Sequence, residues 1–146
     1  MGERLDARRQ YNGTFGDLWW DGEKILETIS FEAKVTVNRE DINQSGDNSV
    51  DSKLMSLKGE GTLKIKKIYS RGLTKLLEAY QSGRDPRSQF IGLLNDPDAL
   101  GKERVVIDNC WFNEFTIMQF ENNQLLEREF PFGFTPSTVK TKETVK

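Results

Sequence analysis

Two neighbouring tryptophans just before a tight-turn signal constrain the fold of this chain more than any other feature. Trp19 and Trp20 precede Asp21 and Gly22 in the stretch FGDLWWDGEKILE. Asp-Gly between two apolar runs is typical of a β-hairpin, because both residues tolerate the positive φ angles of the turn. Neighbouring residues of a strand point to opposite faces. One tryptophan is therefore predicted to face a core, and the other needs a separate cover.

Strand patterns continue along most of the chain and predict a mainly β protein. Apolar residues alternate over residues 25 to 37, and further strands are predicted at 59 to 69, 88 to 94, 104 to 118 and 125 to 134. One helix is predicted at roughly residues 71 to 82, with Ser70 as its N-cap and Gly83 as its C-terminal cap. The predicted fold is a mostly antiparallel β-sandwich or β-barrel with one packed α-helix.

Residues 1 to 146 are predicted to form a single domain, which agrees with the usual length of domains. Residues 1 to 14 are polar and without a period, so we interpret them as an N-terminal arm that is ordered only where something holds it. Residues 38 to 56 are predicted to be a long polar loop, of a length that is usually functional or disordered. Residues 135 to 146 are predicted to be a frayed tail rich in Thr and Lys.

The charge balance argues against several classes of partner. The chain has 21 basic and 23 acidic residues, a formal net charge of −2, whereas dedicated nucleic-acid binders and proteins attracted to anionic membranes usually carry a basic excess. No apolar run approaches the roughly 18 residues of a membrane-spanning helix, and the N-terminus does not resemble a secretory signal. We therefore expect a soluble, cytosolic protein without a membrane anchor.

The residue types needed for common catalytic sites are missing. The chain has no histidine, which removes the commonest general base, the commonest metal ligand and every Ser-His or Cys-His pair. Cys110 is the single cysteine, so an internal disulfide is excluded. Because it lies in the apolar run VVIDNCWFNEF, we expect an inert, partly buried thiol. The chain is predicted not to be an enzyme and to need no cofactor.

Two local patterns suggest a ligand, and each has a simpler interpretation. In DINQSGDNSVDS, oxygen-bearing side chains and Gly46 follow most of a calcium-loop spacing. Ser52 replaces the usual bidentate Glu, and no helix is predicted on either side, so we favour a polar loop without a metal. The stretch KIKKIYSRGLTK, at residues 64 to 75, combines basic residues with an aromatic one, as single-stranded nucleic-acid surfaces do. We favour the simpler interpretation, a solvated strand face followed by a helix start, because the protein is acidic overall.

The predicted strand RVVIDNCWFNEFTIM is apolar on both faces. One face carries Val105, Ile107, Trp111, Phe115 and Ile117, and the other carries Val106, Cys110, Phe112 and Met118. A strand of this kind normally lies between two covering layers. Since one helix covers little, we expect partner subunits to supply the second layer.

The order and spacing of several segments resemble one known family. WWDGEKI, FEAKVTVNREDIN, GEGTLKIKKIYS, LLEAYQSGRD, GKERVVIDNCWF and LEREFPFGF follow one another between roughly residues 16 and 135. Together they resemble the tail tube (tail core) proteins of contractile-tailed phages of Gram-positive bacteria, including PBSX-like defective prophages and phage-tail-like bacteriocins. The N-terminal arm and residues 38 to 56 depart most from that family.

The resemblance implies a structural subunit with the phage tail tube fold. Six subunits would form a ring in which their sheets join around a central channel, with the helix outside, and the rings would stack into an inner tube. The implied partners are further copies, the tail sheath protein, the baseplate hub, the tape measure protein and, in a true phage, DNA in the lumen. The protein would be made in the host cytoplasm and reside in a virion tail or tail-like particle.

Ring closure and ring stacking need two different contact surfaces on each subunit. The predicted subunit contacts are Trp19, Trp20, Asp41, Ile42, Asn43, Asp47, Val50, Lys53, Met55, Phe112 and Met118. Glu127 and Glu129 are predicted to line the lumen, because an acidic or neutral wall does not trap phosphates. As a further hypothesis, residues 38 to 56 are mobile in the monomer and become ordered against the adjacent ring.

Two other interpretations stay open. A monomeric β-barrel module would bind single-stranded nucleic acid through residues 64 to 75. An inner-tube protein of a type VI secretion system would share the fold but have different partners.

Overall fold

The computed structural model describes residues 4–145, and about half of them belong to antiparallel strands. The strands are β1 (Gly16–Trp20), β2 (Glu23–Lys24), β3 (Thr28–Asn43), β4 (Val50–Lys66), β5 (Ser88–Leu94), β6 (Glu103–Phe112), β7 (Glu127–Phe134) and β8 (Val139–Glu143). The helix α1 spans Leu73–Gln81, and 3₁₀ turns occupy Ala7–Arg9, Gly13–Phe15 and Pro136–Thr138. The predicted class, mainly antiparallel β with one packed helix, is confirmed. None of the helices in the described residues is long and apolar enough to cross a membrane.

The eight strands form one sheet in the order β2-β1-β5-β6-β7-β4-β3, with β8 attached to β6. One edge of β6 pairs with β5. Its other edge pairs with β8 near Arg104–Ile107 and with β7 near Cys110–Phe112. The sheet path therefore ends at the short β2 on one side and at the 16-residue β3 on the other.

Aromatic side chains fill the inside of this sheet and show that it is strongly curled. Trp20 of β1 lies 5.5 Å from Phe130 of β7, centroid to centroid, although two strands separate β1 from β7. Phe31 of β3 lies 5.5 Å from Phe90 of β5 although three strands separate β5 from β3. The helix α1 adds Leu76 to the same core. Burial of these rings is the main source of stability in a domain of this kind.

The helix begins two residues later than predicted, because Gly72 and not Ser70 occupies the N-cap. Gly72 has φ of +67° and makes no side-chain capping bond, while the Ser70 hydroxyl accepts a hydrogen bond from Lys67 Nζ at 3.2 Å. A Cβ at Gly72 would approach the Trp20 ring at 2.9 Å, so helix start and tryptophan are packed too closely for another residue. The predicted cap at Gly83 is confirmed, with φ of +79°.

The predicted loop at residues 38 to 56 is wrong. Residues 38–43 continue β3 and residues 50–56 begin β4, so only residues 44–49 form the turn. The register shifts between Asn38 and Arg39, where β4 contains one extra residue. Such a bulge interrupts the alternation by which a strand is identified, and the polar composition completed the misleading pattern. Because backbone pairing runs through the segment, the proposed mobile loop loses its premise.

The described segments near the two chain ends are attached to the body of the fold. In the predicted N-terminal arm, residues 1 to 14, Tyr11 Oη donates to the carbonyl of Gly101 at 2.8 Å, and the Asn12 amide donates to the Asp96 carboxylate at 2.9 Å. Residues 1–3 lie outside the described part. The prediction of a frayed tail is wrong for Val139–Glu143, which pair with β6 as β8. Thr138 Oγ1 also donates to the Asp108 carbonyl at 2.8 Å.

Candidate subunit interfaces

The hairpin of β3 and β4 extends far beyond the rest of the sheet. Within β4, Gly59–Lys66 pair with β7, whereas residues 50–58 pair only with β3. We call residues 35–58 the arm. At about 3.3 Å per residue, the nine residues 50–58 project roughly 30 Å from the sheet. A two-stranded ribbon of this length has little cover of its own.

One face of the arm continues the core-facing surface of the sheet. Val37 pairs with Leu57, and Arg39 pairs with Leu54. Paired residues share a face, and so do residues two apart in a strand. Val37 therefore lies on the same face of β3 as Phe31, which is the face that carries the core. The apolar stripe of the arm consists of Val35, Val37, Leu54 and Leu57, whose exposed fractions lie between 43% and 51%.

The arm collects seven of the eleven predicted subunit contacts. Asp41, Ile42, Asn43, Asp47, Val50, Lys53 and Met55 are all exposed and lie on its strands or its turn. They do not share one face: Ile42 pairs with Asp51 on the side opposite to the stripe. The oxygens that suggested a calcium loop lie at the end of β3 and in the turn at residues 44–49. Within residues 4–145, no group of three or more His, Cys, Asp or Glu side chains is placed to hold a metal.

The tryptophan pair is split between the two faces of β1, as alternation predicts. Trp20 is buried in the core, 5.2 Å from the Phe112 ring. Trp19 is half-buried on the opposite face, with Lys24 Nζ 5.6 Å from its ring centroid, a distance suited to a cation–π contact. Trp20 is thus removed from the list of subunit contacts, and Trp19 remains on it.

Phe112 is also not a subunit contact, because it is 6% exposed inside the core. Asn109 has φ of +58°, and the pairing of β5 with β6 shifts between Ser88 and Phe90. This irregularity moves Ile107, Cys110 and Phe112 onto one face. The apparent two-sided apolar strand therefore arose in part from counting alternation through a bulge. The buried position raises the pKa of the Cys110 thiol to about 12, so the thiol is inert as predicted.

Residues 113–126, which we call the 113–126 loop, form a second exposed apolar surface. The strand β6 ends at Phe112 and not at 118 as predicted, so Met118 lies in this loop. Its exposed apolar residues are Ile117, Met118, Phe120 and Leu125, with Phe120 75% and Leu125 98% exposed. Exposed apolar side chains that form one contiguous patch typically mark a contact with another protein, and four of them within one loop make this loop a candidate.

A buried arginine holds the 113–126 loop in place. Arg128 is 7% exposed, and its Nη2 donates to the Gln119 carbonyl at 3.0 Å, while Nη1 donates to Gln119 Oε1 at 3.2 Å. Phe115 stacks on Tyr80 of α1 at 5.9 Å. Sequence inspection missed Arg128, although the alternation in LEREFPFGF places it on the same face as Phe130 and Phe132.

Glu127 and Glu129 lie on the exposed face of β7, away from the core. Lys64 Nζ lies 3.0 Å from Glu127 Oε2, and Lys64 is also the cross-strand partner of Glu129. The same face carries a Lys58–Glu60 pair at 3.0 Å. This surface is thus interleaved in charge rather than uniformly acidic.

The predicted basic cluster at residues 64 to 75 is largely engaged in contacts within the chain. Arg71 donates through Nε and Nη2 to Glu27 and, at 2.8 Å, through Nη1 to Glu23. Lys67 donates to the Tyr69 carbonyl at 3.0 Å. These contacts leave few free cations for phosphates, which disfavours a single-stranded nucleic-acid module.

The buried carboxylate of Glu27 explains the one polar residue on the apolar side of the predicted strand at 25 to 37. The hydrogen bonds from Arg71 lower the pKa of Glu27 from its ordinary value, against the opposing effect of burial. The pair joins the segment before α1 to the segment before β3. A charge-assisted contact in such a place is strong because both partners are oriented and little water competes.

Comparisons with known proteins agree on one family. A family model described as "Phage tail tube protein" matches residues 3–138. Phage-like element PBSX protein XkdM of Bacillus subtilis (strain 168) is 29% identical over 140 residues, which cover 94% of this chain and 95% of that relative.

Two solved structures share the fold at low sequence identity. The sheath-tube complex of the extracellular contractile injection system PVC contains a chain with a TM-score of 0.70 at 12% identity, covering 94% of this chain and 95% of the other. The tail of an empty gene transfer agent particle, of C6 symmetry, gives a TM-score of 0.55 at 11% identity, covering 92% of this chain and 100% of the other.

Proposed function

The chain belongs to the family of phage tail tube proteins, and we propose that it forms hexameric rings that stack into the inner tube of a contractile tail or phage-tail-like particle. Family membership makes it a structural protein, in agreement with the prediction that it is not an enzyme. Family membership alone does not establish the ring of six subunits, the stacking of the rings or the surrounding sheath, and these are the content of the proposal.

The observation that carries this proposal is the open sheet with two unlike edges. The edge strand β3 offers 16 residues of backbone, and the opposite edge is formed by the short β1 and β2. An exposed edge of that length invites pairing with another chain. When one edge meets the other edge of the next subunit, the contact is heterologous, and it forms a ring where the rotation between subunits closes. The related tail of C6 symmetry supports six as the number of subunits.

The two faces of the sheet suit different surroundings in such a tube. The hydrophobic core and α1 lie on one face of the sheet. The opposite face of β4 and β7, which carries Glu127 and Glu129, lines the channel. There, lysines alternate with glutamates. A wall without a large excess of either sign holds passing phosphates weakly, because few counterions are released on contact. In a true phage the channel conducts DNA, and in a bacteriocin the tube perforates the target envelope.

The remaining partners follow from the position of the tube. The helix α1 faces outward to the sheath protein, as the similarity to a sheath-tube complex supports. The baseplate hub meets the end of the tube, and the tape measure protein occupies its lumen during assembly. The subunit is made in the host cytoplasm and then becomes part of the tail.

Negative-stain electron microscopy of the purified protein across a concentration series tests the proposal. We expect rings or hollow tubes with sixfold end views. The proposal would be contradicted by single small particles at every concentration, if these persist after co-expression with a sheath protein and baseplate components. Sedimentation velocity on the same samples counts the subunits of the smallest ring.

A further inference from the structure

Two uncovered apolar surfaces lie at opposite ends of the same two strands. The arm extends from the end of β4 that precedes Gly59. The 113–126 loop lies at the other end, where the Lys67 amide donates to the Leu126 carbonyl at 2.9 Å, directly after β4. Between Leu57 on the stripe and Ile65 opposite Arg128, eight residues of extended strand span about 26 Å. One chain therefore cannot bring its own stripe to its own loop.

Both surfaces project from the core-facing side of the sheet. The stripe continues that side outward beyond the core, and Phe115 and Arg128 attach the loop to it. If a second copy is shifted along the strand direction and keeps the same orientation, its 113–126 loop reaches the apolar stripe of the first copy. A contact between unlike ends of identical chains repeats without closing when the displacement has a component along the axis.

Arg39 on the stripe face has a charge complementary to those of the loop. It is the single cation on that face, which also carries Asp41 two residues further along β3. Arg39 forms no ion pair with residues 4–145, and its Nη1 lies 3.5 Å from Ser52 Oγ. The 113–126 loop contains Glu114 and Glu121 but no Lys or Arg. Both glutamates are exposed and likewise lack an ion-pair partner in the described part of the chain. An arginine at the rim of one apolar surface thus matches carboxylates at the rim of the other.

We propose that the apolar stripe of each arm packs on the 113–126 loop of a subunit in the adjacent ring, with Arg39 beside Glu114 and Glu121. The inference rests on the proposed tube and specifies which surfaces hold its rings together. The loop acts as a preformed seat because Arg128 fixes its middle through Gln119. The arm keeps its stripe exposed until the next ring covers it.

Disulfide cross-linking locates this contact directly. A chain carrying Val37→Cys and Phe120→Cys is assembled, oxidised and separated on a non-reducing gel. We expect a ladder of multimers, since each subunit has one cysteine toward each neighbouring ring. The native Cys110 is fully buried and stays unreactive. A chain carrying Val37→Cys and Glu78→Cys, on the exposed side of α1, is the matched control and should give no ladder.

The outcomes separate this inference from the proposed function. Tubes under the microscope without a ladder would overturn the arm-to-loop contact and leave the tube intact. Absence of rings and tubes for the unmodified protein would remove the proposed function itself. Circular dichroism shows for each variant that the sheet is folded.

Charge reversal provides a second measurement. Arg39→Glu is expected to abolish tubes at concentrations at which the unmodified protein assembles, and adding Glu114→Arg with Glu121→Arg is expected to restore them. Lys75→Glu on exposed α1, tested without sheath protein, makes the same charge change and should assemble normally. Normal assembly of Arg39→Glu, or failure of the reversed loop to restore it, would overturn the proposed pairing.

Discussion

The two halves of β4 have the same backbone conformation and opposite surroundings. In Gly59–Lys66 the strand lies between β3 and β7, and Leu63 and Ile65 are fully buried among the aromatic rings. In residues 50–58 it has one neighbour, and Leu54 and Leu57 are about half exposed. Both halves present apolar residues to the same side. What differs is the cover, which the subunit supplies for the inner half only.

This difference separates stability from assembly along a single strand. Changes in the inner half should lower the free energy of unfolding of the monomer. Changes in the outer half should leave that free energy nearly unchanged and act on association. The predictions below test this division in order of decreasing effect on stability.

The largest effect is expected from Phe132→Ala, opposite Gly61 in the inner half. Phe132 is 1% exposed and contacts three aromatic rings, with the Phe90 centroid 5.0 Å away. Truncation of a buried Phe typically costs about 3–5 kcal/mol. Urea unfolding followed by circular dichroism measures this loss. A cost below about 1 kcal/mol would mean that the inner half is not the core of the subunit.

A smaller but clear effect is expected from Gly61→Ala in the same half. A Cβ at Gly61 would lie 2.3 Å from the Glu32 carbonyl oxygen and 2.4 Å from the Phe132 ring. Overpacking of this kind costs about 1–3 kcal/mol. The matched control is Gly92→Ala in β5, where an added Cβ meets nothing within 4 Å. Equal midpoints of unfolding for the two variants would contradict the close approach at Gly61.

Much of the inner half could be predicted from the sequence, because there the alternation is regular. The strand at Ser88–Leu94 has the predicted bounds, and Leu63 and Ile65 oppose Lys64 as expected. The pattern failed wherever one extra residue entered a strand. The bulge after Asn38 concealed the arm, and the irregularity at Asn109 placed Phe112 on the wrong face.

The candidate interfaces could be predicted only as a set of residues and not as surfaces. Met118 and the polar residues of the arm were predicted as contacts and are exposed, but a sequence does not show that the arm and the 113–126 loop lie at opposite ends of β4. Alternation places Arg128 on the core face of β7, but its role depends on a carbonyl of Gln119 that approaches only in the folded chain.

The ion pair between Glu27 and Arg71 predicts that the stability of the fold depends on pH. Arg71 lowers the pKa of Glu27 in the folded state. The ion pair therefore stabilises the fold above the ordinary glutamate pKa of about 4.3, and this stabilisation is lost as pH falls below that value. Glu27→Gln should lower the free energy of unfolding by about 1–3 kcal/mol at neutral pH, which is the usual contribution of a hydrogen bond to a charged group. The cost should shrink toward acid pH. A cost that stays constant between neutral and acid pH would show that packing, and not charge, is what Glu27 contributes.

The smallest effect on stability is expected from Leu57→Ala on the outer half of β4. About half of this side chain is already exposed, and it faces only Val37 across the ribbon. The free energy of unfolding should therefore change by less than about 1 kcal/mol. Assembly should shift to higher concentration, because the truncated side chain no longer fills the contact with the adjacent ring. Unfolding curves and sedimentation of the same preparation measure both quantities. Equal stability with equal assembly would place the ring contact elsewhere, whereas a loss of stability as large as that of Phe132→Ala would show that the arm belongs to the monomer's own core after all.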